Sequence, residues 1–159
     1  MLMIQSDLNC KTHGKGTSRL YATNDFLEQF IDSNTILPAV INLNSAAIRD
    51  GIKFDAGTDT LLIKEKGIYL LQYSVQVFHA QPPSNLPLTF SLQLNGGTII
   101  NSQTTFTTNT FNTSYVTSTL LAQSLEKGDS IQLVLSAPNP IPNGTVLRID
   151  FASITILEI

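Results

Sequence analysis

The chain has 159 residues, 42% of them hydrophobic and only 13% charged, with a net charge of −3. That length suits one domain with its own core, and the apolar content with weak net charge excludes a disordered chain. Lacking a basic footprint, it is a poor partner for nucleic acid or an anionic membrane, and no apolar run approaches the length needed to cross a bilayer.

Residues 1–34 read as a separate part. Met1, Leu2, Met3 and Ile4 give an apolar start that is too short for a signal-peptide core, and the basic residues follow it, so no Sec signal is expected. Cys10 is the single cysteine, which rules out an internal disulfide. It is either a bystander or an intermolecular cross-link. Thr23 or Asn24 is positioned to cap a short helix over 24–32, with Phe26, Leu27, Phe30 and Ile31 at helical spacing on one apolar stripe. Because this stretch lacks period two, residues 1–34 are expected to be an N-terminal assembly or docking arm, and 35–159 the folded domain.

From Thr35 onward, turn residues recur about every 8–12 positions, the spacing of a β-sandwich. Tyr69, Leu71, Tyr73, Val75 and Val77 alternate with Gln72, Ser74 and Gln76. After a loop bounded by Pro82, Pro83 and Pro87, Leu88, Phe90, Leu92 and Leu94 alternate with Thr89, Ser91 and Gln93 as far as the turn at Asn95-Gly96-Gly97. The Thr- and Asn-rich stretch from Gln103 to Thr119 predicts a pair of outer strands with hydroxyls outward. Past Gly128-Asp129, Ile131, Leu133 and Leu135 resume the alternation. Leu147, Ile149 and Phe151 do the same, but beyond Ala152-Ser153 the parity flips to Ile154 and Ile156, which predicts a bulge or a change of covered face.

Two segments are apolar on both faces, Ile68 to Leu71 and Ile154 to Ile159. A sandwich strand normally shows one face to water, so these need cover from another subunit or from the N-terminal segment. Ile154, Ile156 and Ile159 are accordingly the expected subunit-interface residues.

Signals for chemistry are sparse. His13 and His79 have no further histidine or carboxylate at metal-ligand spacing. Asp55 and Asp59 fit turn capping better than a calcium loop. No Gly-x-Ser-x-Gly elbow or phosphate-binding glycine loop is present. The expectation is a non-enzymatic protein without metal or cofactor.

An ordered series remains: Gly67-Ile-Tyr-Leu-Leu-Gln-Tyr-Ser-Val75, Phe90-Ser-Leu-Gln-Leu-Asn-Gly96, Leu125-Glu-Lys-Gly-Asp-Ser-Ile-Gln-Leu133, and a closing strand from Val146 to Ile159. It resembles the tumour-necrosis-factor-like jelly roll, also seen in the globular heads of complement's first component. The bacterial likeness is to the head of the collagen-like exosporium glycoprotein and to basal-layer proteins of Bacillus spores. The resemblance implies an all-β, ten-stranded jelly roll over 35–159, trimerisation about a three-fold axis with first and last strands toward that axis, and no catalysis. It further implies a structural, self-associating subunit of the extracellular spore surface, in the exosporium or a thin appendage. Its trimers would be joined through the arm (Met1, Leu2, Met3, Ile4, Cys10, Phe26, Phe30), and its partners would be itself and other spore-surface proteins. The alternative is a glycan- or receptor-binding head of phage-fibre or adhesin type. The chain lacks the Gly-X-Y stalk of the exosporium glycoprotein and its usual leader.

Overall fold

The computed structural model describes residues 18–24, 27–48, 51–81, 85–110, 112–137 and 140–159. In chain order the strands are β1 (Arg19–Thr23), β2 (Gln29–Ile31), β3 (Ala39–Val40), β4 (Ser45–Ile48), β5 (Ile52–Asp55), β6 (Thr60–Ile63) and β7 (Gly67–His79). They continue as β8 (Leu86–Leu94), β9 (Gly97–Thr98), β10 (Thr104–Thr108), β11 (Thr113–Leu125), β12 (Ser130–Ser136) and β13 (Leu147–Glu158). The first sheet runs β11-β7-β13-β1-β4, with β2 also on β13, and the second runs β10-β8-β12-β6-β5, with β3 on β12 and β9 on β8. All pairings are antiparallel. The result is an all-β sandwich of two antiparallel sheets.

Alternation sets the inward faces. Tyr69, Leu71, Tyr73, Val75 and Val77 of β7 are all fully buried against Leu88, Phe90 and Leu92 of β8 and Ile131, Leu133 and Leu135 of β12. The sheets are also pinned by polar groups. The Tyr73 hydroxyl reaches from β7 to the carbonyls of Phe90 (3.1 Å) and Ser102 (2.8 Å) and to Thr104 Oγ1 (2.6 Å). Ser102 Oγ in turn accepts the Leu92 N–H at 2.8 Å. A buried phenol needs such partners.

The N-terminal boundary differs from the expectation. β1 and β2 are part of the sandwich: β1 lies between β13 and β4, and Leu20, Ala22 and Ile31 are buried in the core. Nor do the described residues of 24–32 form a helix. Asn24, expected as a helix cap, exchanges backbone bonds with Ala152 instead. Its N–H donates to the Ala152 carbonyl, and its Oδ1 accepts the Ala152 N–H, each at 3.1 Å. β13 offers an unpaired ladder edge here, and filling it outweighs a short helix whose stripe would face only one way. Phe26, with Met1, Leu2, Met3, Ile4 and Cys10, lies outside the described residues.

Candidate self-association surface

The outward face of the first sheet can be read from register. On β7 the side chains opposite to the core are Ile68, Leu70, Gln72, Ser74, Gln76 and Phe78, and their partners on β11 are Ser124, Ala122, Leu120, Ser118, Val116 and Ser114. On the other side of β7, β13 presents Leu157, Thr155, Ser153, Phe151 and Arg148. Beyond it β1 adds Arg19, Tyr21 and Thr23 opposite Leu157, Thr155 and Ser153.

Neither β7 nor β11, thirteen residues each, contains a Lys, Arg, Asp or Glu. Large apolar side chains stand out from this face into solvent: Val116 is 70% exposed, Leu120 62%, Ile68 54%, Tyr21 43% and Phe151 37%. At one end, Leu157 pairs with Leu70, and the Ile159 N–H bonds the Ile68 carbonyl at 2.9 Å, so four aliphatic residues meet. At the other end, Phe30 of β2 is opposite Arg148 and 57% exposed, and the Arg148 guanidinium lies 4.9 Å from the Phe78 ring centroid. Arg148 is also paired with Asp150 and, at 3.3 Å, with Glu28, which neutralises the main cation of that end. Between the ends runs a band of uncharged hydrogen-bonding groups: Gln72, Ser74, Gln76, Ser118 and Ser153. Exposed apolar side chains gathered on one sheet face of a small domain are the usual mark of an interaction site.

Of the expected interface residues, Ile159 is exposed (66%), but Ile154 and Ile156 are not on this surface. They are opposite Tyr73 and Leu71 and point into the core of their own subunit. The cause is a register shift between Ile149 and Phe151, the β-bulge that the parity flip foreshadowed. One extra residue on β13 lets Ile149 and Ile154, five positions apart, both face inward. The apolar strip left in water therefore consists of Ile68, Val116, Leu120, Phe151 and Ile159. The double-faced character of Ile68 to Leu71 was the sequence signal for it. Leu120 and Val116 carried none, lying in a stretch dominated by Thr and Ser.

Other sequence-derived sites resolve locally. Asp55 Oδ1 accepts the Gly57 N–H at 3.0 Å and caps its own turn, whereas Asp59 Oδ1 accepts the N–H of the distant Leu43 at 2.6 Å and ties two segments together instead of capping a turn. Burial is the main influence on Asp59 and raises its pKa, with the Leu43 N–H opposing and Asp55 adding to the rise. Among the described residues no three His, Cys, Asp or Glu side chains gather where they could hold a metal. His79 is fully buried at the end of β7 between Thr113 and Leu147 of the flanking strands. Neither ring nitrogen has a hydrogen bond of acceptable geometry. The Gln81 backbone approaches it too poorly to offset burial, which lowers its pKa.

No protein-family model matches the chain, and no curated protein matches it. Among solved structures it is similar to one described as the structure of Eiger TNF from S. frugiperda, with a TM-score of 0.61 and 10% sequence identity over 90% of this chain and 92% of that one. At that identity the likeness establishes the fold: a TNF-like jelly roll.

Proposed function

We propose that this chain is a structural subunit that self-associates as a homotrimer through the outward face of its first sheet. The observation that carries the reading is the outer surface of β7 and β11, which bears no charged side chain and several exposed apolar ones, continued by Phe151 and Leu157 of β13. Burying a large aliphatic side chain is worth about 1.5–3 kcal/mol. Several half-exposed ones per subunit can therefore offset an association cost of roughly 4–15 kcal/mol. The fold likeness supports the same choice of face, because a TNF-like sandwich has its first and last strands on this sheet.

The site of action we propose is the extracellular surface of a bacterial spore, as exosporium or thin appendage, with other spore-surface proteins as neighbours. Support for that placement comes from the sequence resemblance over 67–75, 90–96, 125–133 and 146–159. We further propose that the joint between trimers lies in the residues ahead of Ser18; what supports this is the sequence alone, with the apolar Met1, Leu2, Met3 and Ile4 and the single cysteine, Cys10. Nothing in this role requires a cofactor or catalysis.

Light scattering of the full chain at micromolar concentration tests the trimer, and negative-stain microscopy tests the higher assembly. A trimer mass with fibres or sheets is expected. A stable monomer would refute the reading, and discrete trimers that never assemble further would refute its second half.

A further inference from the structure

The structure holds the same dipeptide, Asn-Gly, in two turns under opposite restraint. Asn95-Gly96 joins β8 to β9, and its carboxamide is clamped. Asn95 Nδ2 donates to Asp129 Oδ1 at 2.8 Å, and Oδ1 accepts the Ser130 N–H at 2.9 Å and lies 3.2 Å from Ser130 Oγ. Asn143-Gly144 leads into β13. The Asn143 side chain is exposed, and among the described residues it makes no hydrogen bond. That turn closes through the Thr145 N–H on the Pro142 carbonyl at 3.1 Å, which leaves the Gly144 N–H outside the bond. Space is open around both glycines, with nothing within 4 Å of where a Cβ would stand on Gly96 or Gly144. The two sites therefore differ in the freedom of the carboxamide, not in the glycine.

We propose that Asn143 is a site of spontaneous modification, converted by water to a mixture of aspartate and isoaspartate. A glycine after asparagine has no Cβ to hinder its nitrogen. The Gly144 amide nitrogen attacks Asn143 Cγ, an N–Cγ bond forms and the Cγ–Nδ2 bond breaks. The former carboxamide nitrogen leaves as ammonia, taking the proton from the Gly144 nitrogen. Water then opens the five-membered imide at either carbonyl. One product is an aspartate, and the other is an isoaspartate whose main chain runs through the former side chain. The net change consumes one water and releases one ammonia, with no oxidant or reductant.

Each event takes the net charge from −3 to −4 and places the new carboxylate at the end of the sandwich where β13 starts. Isoaspartate at position 143 also lengthens the backbone by one methylene ahead of Gly144, two residues before Thr145, which is only 3% exposed, and four before the fully buried Leu147. At Asn95 the same reaction first requires the carboxamide to leave its three contacts.

The test is a time course on the full-length protein at mildly alkaline pH in heavy-oxygen water, with peptide mapping by mass spectrometry and enzymatic methyl labelling of isoaspartate. Conversion at Asn143 is expected at least roughly tenfold faster than at Asn95, since releasing even one hydrogen bond is worth about that factor. In concentrated urea the two rates should converge, and Asn143→Gln should remove the fast phase. Equal or reversed rates in the folded protein would overturn the proposal. So would a ratio that survives in urea, or an Asn143 that stays intact while the denatured chain reacts.

Discussion

Replacing Leu120 with aspartate isolates the contribution of the outward face. Leu120 is 62% exposed in the single subunit. With full burial of a leucine worth about 1.5–3 kcal/mol, about 1–2 kcal/mol remains to be gained on association. A closed three-fold assembly counts that side chain three times, so Leu120→Asp should remove about 3–6 kcal/mol per trimer, before any cost of burying the carboxylate. That corresponds to a fall of roughly two to four orders of magnitude in the association constant. Because the side chain points away from the core, the subunit itself should keep its fold. Sedimentation equilibrium across a concentration series reads the association, and circular dichroism reads the fold. Thr107→Asp is the control, an exposed position on β10 at the edge of the other sheet, and should leave the trimer unchanged. If Leu120→Asp retains the wild-type mass at low micromolar concentration, or if Thr107→Asp dissociates equally, the face has been assigned wrongly.

Three further expectations concern the subunit. In the dissociated subunit, Ile154→Ala should cost about 2–5 kcal/mol of unfolding free energy as a core cavity, whereas Ile159→Ala should stay within about 0.5 kcal/mol; similar losses in urea titration of the monomer would contradict the register of β13. Tyr73→Phe strips the hydroxyl that links the sheets and should cost about 1–3 kcal/mol, with a near-neutral result showing that the Ser102 and Thr104 contacts are replaceable. His79 has its pKa lowered by burial, so the unfolded chain takes up a proton that the folded one resists. Stability should be full above an unfolded pKa of about 6.5 and decline as pH falls below it. His79→Leu should flatten the urea midpoint between about pH 7 and pH 5, and an unaltered slope would remove His79 as the cause.

The parts of the fold legible in sequence were those whose strands bury one face over many residues. β7, β8 and β12 announced themselves through unbroken alternation, and the turn at Asn95-Gly96 needed the positive φ of 51° and 81° seen at those residues. β1 and β2, of five and three residues, are too short to build a periodic signal. Asn24 compounds the difficulty, since a helix cap and a bridge to the Ala152 backbone call for the same carboxamide. The exposed apolar face was half legible. Double-sided hydrophobicity at Ile68 to Leu71 and at the C-terminus correctly flagged strands with a second apolar face. Which isoleucines occupied it depended on where one extra residue fell in β13, and the alternation after the bulge matches either face equally well.

The low charge of the whole chain takes on meaning once it is located. Charges collect at the margins of the first sheet, with Lys66 paired to Glu126 at 2.8 Å beside the start of β7 and the end of β11, and Arg148 with Asp150 and Glu28 at the opposite end. On β7 and β11 the surface between them carries only apolar and neutral hydrogen-bonding groups, while Arg19 stands farther out, on β1. Under the proposed assembly that distribution follows from symmetry. A residue beside a rotation axis meets copies of itself, so a Lys or Glu there would face its own charge and raise the energy of the complex. Gln72, Ser74, Gln76 and Ser118 avoid the conflict because an amide or hydroxyl both donates and accepts, and can satisfy an identical partner. A one-sided contact with an unrelated protein would impose no such restriction, since complementary charges could be divided between the two surfaces. The absence of charge from β7 and β11 is therefore an argument for self-association in particular, and not only for a sticky face.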